Sequence, residues 1–404
     1  MTRSVLAACV LSLMLSRALA APPPGDWPAF RGADRNGKSP DTGLRKEWPA
    51  DGPPLLWKVQ DVGKGYSAVT VAGGLVYVTG DEGGKLIIRA LDKTGKLVWK
   101  KDNGPAWTHD QPGSRSSPTI DLGKLYLLSG VGVLGCYDAK TGNRLWYQDL
   151  TKMGGRSGGW GYAESVLVQD NMVVCKPGGR NSIVALNKNT GDRMWSSAYN
   201  SGPEYGCCTY FVHNRIPMIV TGTNAGLVCV SARTGAVLWT DDFSAHNTAN
   251  CPTPVYSDGY VFWANGYGKG GVCMKLDATG KATRAWTTND MVCHHGGYVI
   301  HEGHIYGDNG GGVSCLDLKT GQKKWSDRAV GKGSIAWADG MFYLFSENGG
   351  QAALAECSPE GLKIKGKVRV EGSGPSWAHP VIIGGRLYLR YDTNLYCFDV
   401  KAKE

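Results

Sequence analysis

Six stretches of this 404-residue chain repeat one pattern, and that repeat constrains the fold more than any other feature. An apolar strand ends in a polar turn, usually begun by Asp, and Thr-Gly and a downstream Trp follow. The units are Ala90-Leu91-Asp92 with Gly95 and Trp99, Cys136-Tyr137-Asp138 with Gly142 and Trp146, and Ala185-Leu186-Asn187 with Gly191 and Trp195. Cys229-Val230-Ser231 with Gly235 and Trp239, Lys275-Leu276-Asp277 with Gly280 and Trp286, and Cys315-Leu316-Asp317 with Gly321 and Trp325 complete the set. Successive tryptophans lie 47, 49, 44, 47 and 39 residues apart. A period in the forties belongs to propellers or to helical arrays.

Strand chemistry selects the propeller. Asp or Asn bonds its own turn, and Gly takes the positive φ of a tight hairpin. Glycine is 58 of 404 residues, about twice the usual share. No stretch carries a sustained helical period with caps. Eight upstream hairpins are legible, from 67–81 to 378–392. The last unit runs through 395–399 and lacks its outermost strand. Leu55-Leu56-Trp57-Lys58-Val59 is an orphan strand whose Trp lies 42 residues before Trp99, in phase with the repeat. Residues 54–60 are therefore expected to complete the eighth blade and close the ring, which leaves no open sheet end. The seventh unit has lost its Thr-Gly and Trp.

The predicted organisation is a signal peptide over 1–20, an extended segment over 21–53 and one eight-bladed propeller over 54–404. The leader reading rests on Arg3, an apolar run from Val5 to Leu15 and the cleavage pattern Ala18-Leu19-Ala20. It places the mature protein in the periplasm or outside the cell, with no integral membrane segment. Removing the leader's two arginines takes the formal charge from +9 to +7. The densest basic run, Lys363, Lys365, Lys367 and Arg369, alternates. It reads as an edge strand kept from pairing with other chains by its lysines, so no nucleic-acid partner is expected. A monomer is.

The docking pattern A-x-D-x-x-T-G-x-x-x-W resembles the pyrroloquinoline quinone (PQQ) repeat family of eight-bladed propellers. That family includes the quinoprotein alcohol dehydrogenases and a non-enzymatic scaffold of the outer-membrane barrel-assembly machinery. Asp26-Trp27-Pro28-Ala29-Phe30-Arg31-Gly32, Trp160-Gly161-Tyr162-Ala163-Glu164-Ser165, His294-His295-Gly296-Gly297 and Gly331-Lys332-Gly333-Ser334 are similar to a secreted or periplasmic branch. The resemblance implies an all-β, quinoprotein-dehydrogenase-like propeller.

In such a propeller the residues at the starts of the innermost strands face the axial funnel. The candidates are Arg115, Trp160, Tyr162, Glu164, Asn250, His295, Lys332, Trp377 and His379. Neighbouring cysteines can close a strained disulfide in an oxidising compartment, and Cys207 and Cys208 are expected to be joined. The resemblance makes that pair the roof over a quinone and Trp160 or Trp377 its stacking floor, with Glu164 the candidate catalytic group. It implies calcium beside the quinone, but the Glu, Asn and Asp that hold calcium in the dehydrogenases are not reproduced in order. Cys251, Cys293, His294 and His295 are candidate soft-metal ligands. Adjacent histidines on a strand point to opposite faces, so only one should reach a given metal. Cys136, Cys229, Cys315 and Cys397 occupy equivalent strand positions where a small buried residue fits. The leading functional expectation is a binding or scaffold module that uses its funnel or rim for a protein or small-molecule partner. The alternative is a PQQ-dependent alcohol dehydrogenase.

Overall fold

The computed structural model describes residues 25–246 and 248–402. The expected signal peptide lies outside them. Eight sheets follow one another along the chain, and seven are built from consecutive strands within 70–105, 119–149, 167–196, 209–241, 255–288, 298–327 and 333–369. We number these blades 1 to 7. Blade 8 comprises Val381–Ile383, Arg386–Tyr391 and Asn394–Asp399, completed by Leu55–Val59 from the other end of the chain. That closing strand pairs antiparallel with the third strand of blade 8, Trp57 opposite Cys397 and Val59 opposite Leu395. The ring is closed as the phase of Trp57 predicts. Residues 363–369 form the outer strand of blade 7, paired on one side only, and a bulge at Lys365 interrupts the alternation.

The repeat motif locks blade to blade. In the turns begun by Asp the carboxylate accepts local bonds, as Asp138 Oδ1 does from the Thr141 amide and hydroxyl, both at 2.8 Å. The following glycine has positive φ and lies flat against the preceding blade's Trp, except in blade 5, where Gly280 meets Ile216 and Met218 instead. A Cβ on Gly142 would stand 2.7 Å from Trp99, and one on Gly191 would stand 2.9 Å from Trp146. The indole N–H of Trp57, Trp99, Trp146, Trp286 and Trp325 then donates to a neighbouring turn, as from Trp146 to the Lys188 carbonyl at 3.1 Å, while those of Trp195 and Trp239 have no partner. The residue paired with each Trp must be small: Ala90, Cys136, Ala185, Cys229 and Cys315 face Trp99, Trp146, Trp195, Trp239 and Trp325. These cysteines are buried thiols, acting as small hydrophobes. Trp239 is 7% exposed, and Trp239→Ala should cost about 3–5 kcal/mol in denaturant unfolding.

Blade 7 has no Trp at the locking position of its outer strand, and the N-terminal segment supplies one. In blades 1, 2 and 6 a second-strand Tyr meets the Trp with ring centroids 6.0, 6.0 and 6.1 Å apart. In blade 7 the corresponding Tyr343 meets Trp48 at 6.0 Å. Trp48 is buried among residues of blades 7 and 8, and its amide donates to the Lys365 carbonyl at 2.9 Å.

The rest of that extended segment runs across the inner strands and floors the axial channel. Trp27 bridges to Val71 of blade 1, and Lys38–Ser39 adds a parallel strand to the inner strand of blade 7. Between them, Arg31 and Arg35 are both 4% exposed. Arg35 donates to the Ser165 carbonyl at 2.8 Å, to the Val166 carbonyl and to Thr119 Oγ1 at 3.3 Å. Arg31 donates to the Tyr298 carbonyl and meets His379 Nδ1 at 3.4 Å. Two guanidinium forks thus tie the inner strands of blades 2, 3 and 6, and the start of blade 8's, to one plug.

Candidate functional site

The segments that lead into the inner strands converge above this plug. They enclose a cavity of about 290 Å³. Its wall takes Tyr66 from the approach to blade 1, Arg115 from blade 2, Trp160 and Ser165 from blade 3, Tyr205 and Cys207 from blade 4, and Cys251 from blade 5. His294 and His295 before blade 6 and Trp377 and His379 before blade 8 complete it, and Phe30 of the plug faces the same space. The funnel is therefore closed at its base.

Eight of the predicted site residues line it together: Arg115, Trp160, Cys207, Cys251, His294, His295, Trp377 and His379. The others do not. Glu164 falls between lining residues Ala163 and Ser165, and alternation sends it behind the wall, 2% exposed. Its Oε2 accepts from the Lys176 amide at 2.9 Å. Burial pushes its carboxyl up, against the opposing pull of Lys176. Tyr162 is core, its hydroxyl donating to the Pro177 carbonyl at 2.9 Å. Asn250 holds its own loop, accepting from the Ala245 amide at 2.9 Å and donating to Ser244 Oγ at 3.1 Å. Cys293 is fully buried between blades 5 and 6. Lys332 stands at the border, its ammonium 2.8 Å from His294 Nδ1 and 2.7 Å from Glu347 Oε2.

The expected Cys207–Cys208 bond is absent: both are free thiols. Cys207 faces the funnel and accepts from the Ser165 amide at 3.3 Å. Cys208 packs in the core between blades 3 and 4. Successive side chains on an extended segment diverge, which separates the two sulfurs. The histidine pair departs from expectation the other way. His294 and His295 sit in a bend before the strand that starts at Tyr298, so alternation does not govern them. Their rings lie 3.7 Å apart.

One side of the funnel is a run of aromatic rings. Tyr66 lies 4.4 Å from Trp377, which stacks on His295 at 4.2 Å and 20°. His294 follows, then Tyr267, whose hydroxyl is 2.9 Å from His294 Nε2. Burial and the Lys332 ammonium lower the His294 pKa to about 4. His379 is lowered to about 3 by burial and by Arg31. Both imidazoles are neutral at physiological pH. Opposite, the Arg115 guanidinium spans backbone carbonyls at Gln111, 2.5 Å, and Gly113, 3.1 Å, and lies 5.8 Å from the Trp107 ring. No carboxylate is among the lining residues. Behind the wall, Asp81 has no hydrogen-bond partner on either carboxylate oxygen. Burial raises its pKa to about 6, with Arg115 and Arg390 opposing.

The Asp81 shift has a defined sign. A folded pKa above the unfolded value means that the native state holds the proton more tightly, so stability falls as pH rises from about 4 to about 6. Asp81→Asn should gain about 1–2 kcal/mol near neutral pH, after allowing for solvent screening. It should gain nothing near pH 4, where Asp81 is already protonated. Chemical unfolding of both proteins across that range checks it.

Phe30, Gln111 and Tyr267 also line the cavity and carry no repeat signal. Tyr267 lies on the hairpin between the second and third strands of blade 5, outside the inner-strand starts. A calcium-bound quinone fits this lining poorly. Glu164 and Asn250, the residue types that could bind calcium, lie behind the wall, no disulfide roofs the cavity, and Trp377 is already stacked by His295.

A family model described as outer membrane protein assembly factor BamB matches residues 84–327. No curated protein matches the chain. Among solved structures, BamB from Moraxella catarrhalis is similar at 15% identity and TM-score 0.61, with 87% of this chain and 98% of that one covered. A quinohemoprotein alcohol dehydrogenase from Comamonas testosteroni is similar at 15% identity and TM-score 0.70, covering 96% of this chain and 82% of that one. A europium-containing methanol dehydrogenase shares 13% identity at TM-score 0.72, covering 92% of this chain and 90% of that one. At such identities the likeness speaks for the fold, the eight-bladed PQQ-like propeller. No helix among the described residues is long and apolar enough to cross a membrane.

Proposed function

The chain belongs to the PQQ-like propeller-repeat family whose model is described as outer membrane protein assembly factor BamB, and from that membership we propose an exported binding propeller whose funnel takes a small, planar, anionic ligand. The carrying observation is the lining itself: aromatic rings and one guanidinium, without a carboxylate, around a blind cavity of about 290 Å³. Aromatic walls stack flat ligands, and a guanidinium pairs with carboxylates. A cavity of this size and mixed lining is of the small-molecule type. The exported location rests on the leader pattern of residues 1–20.

The test is calorimetric titration with naphthoate, a planar aromatic carboxylate, and with PQQ in the presence and absence of calcium. Wild type should bind naphthoate, and Arg115→Met should weaken it about ten- to a hundredfold, the worth of one charged hydrogen bond. PQQ binding, where it occurs, should not depend on calcium, and no alcohol should drive dye reduction. Calcium-dependent PQQ binding with alcohol turnover would establish the dehydrogenase instead. No binding of either compound removes the funnel reading.

A protein-docking role has one observation in its favour. Leu55 and Leu56, Leu97 and Val98, Leu145, Met194, and Val237 and Leu238 are exposed on the outer strands of blades 8, 1, 2, 3 and 4, next to the locking tryptophans. Exposed apolar surface marks interaction sites where it is contiguous.

A further inference from the structure

We propose that Cys251, His294 and His295 form a binding site for a zinc-type divalent cation, with one coordination position open to the funnel. One ligand atom from each residue lies within 4.8 Å of the other two. The three come from the approaches to two blades, 5 and 6, which the ring sets side by side. A thiolate with two imidazoles is the donor set of zinc and its thiophilic neighbours rather than of calcium or magnesium. Three protein ligands leave a fourth position free, as in zinc sites that exchange ligands.

Two further observations point at a cation here. His295 Nδ1 is buried without a hydrogen-bond partner, a cost that a metal bond would remove. His294 Nδ1 already holds a cation, the Lys332 ammonium at 2.8 Å. Because that nitrogen accepts, the neutral His294 carries its proton on Nε2 and donates to Tyr267 Oη at 2.9 Å. A metal arriving at Nδ1 would take the place of the ammonium, and Lys332 would keep its bond to Glu347 at 2.7 Å. The Nε2–H bond to Tyr267 then acts as the outer partner that fixes ring and tautomer. Binding forms a metal–sulfur bond and releases the Cys251 thiol proton to solvent, with no change of oxidation state. The inference does not rest on the organic ligand proposed above, and its test uses the metal alone.

The experiment titrates the mature protein with cobalt(II) and reads the thiolate-to-cobalt charge-transfer band. Wild type should give the band at one equivalent, and zinc should displace it. Cys251→Ser should lose it. Lys332→Met removes the competing ammonium and should tighten cobalt binding about tenfold or more. Should Cys251→Ser fail to fold, alkylation of wild type serves in its place, with Cys251 protected from iodoacetamide by zinc. No band in wild type, a band that survives Cys251→Ser, no protection of Cys251, or an affinity that Lys332→Met does not raise would each overturn the site.

Discussion

Removing residues 54–60 should abolish cooperative unfolding. The deletion strips the outer strand from blade 8 and exposes the edge of Asn394–Asp399. It also removes Trp57, whose ring lies against Gly95 of blade 1 and whose N–H donates to the Lys93 carbonyl at 2.9 Å. The lock between the last blade and the first is lost with it. Burial of one such Trp is worth about 3–5 kcal/mol, and a whole domain commonly has only about 5–15 kcal/mol to lose. The open ring also has an unpaired strand edge, which invites association. Calorimetry and circular dichroism should show a broad, early transition. A deletion that melts like the full chain would refute the closure.

The second large effect concerns the plug. Arg35→Met leaves the buried Ser165 carbonyl without its donor and takes one of two donors from the Val166 carbonyl, which keeps the Thr119 hydroxyl at 2.8 Å. Each such loss costs about 1–3 kcal/mol, and the nearby Glu164 loses an attractive charge. Relief from burying a cation offsets part. We expect a net loss of about 2–4 kcal/mol in urea unfolding. Trp27→Ala should lower stability through packing alone, so the two variants separate the charge from the anchor. An Arg35→Met protein as stable as wild type would mean that the floor is not held by this fork.

The legible part of the fold was whatever recurred from blade to blade. The docking tryptophans, their small partners at 136, 229 and 315, and the closing strand at Trp57 all follow from phase. What the phase could not reach was the single-copy segment before it. Trp48 stands nine residues ahead of Trp57, out of register, so nothing marks it as the missing lock of blade 7. Arg31 and Arg35 look like ordinary surface charges until the backbone carbonyls that hold them are seen. Within the site, the approach segments were found but their side-chain direction was not. Glu164 and Tyr162 alternate away from the funnel while Ala163 and Ser165 face it, and an irregular lead-in carries no periodicity from which to read that choice. The same limit misplaced Cys208 and underestimated the histidine pair, whose bend brings together two rings that a strand would have separated.

The central claim is that the floored, aromatic funnel is where this propeller binds. A crystal structure of the mature protein with naphthoate tests it most directly. The ring system should lie in the funnel beside Trp160 and Tyr205, with its carboxylate on Arg115. Naphthoate seated on the outer strands of blades 8 to 4, with the funnel filled only by solvent, would contradict it.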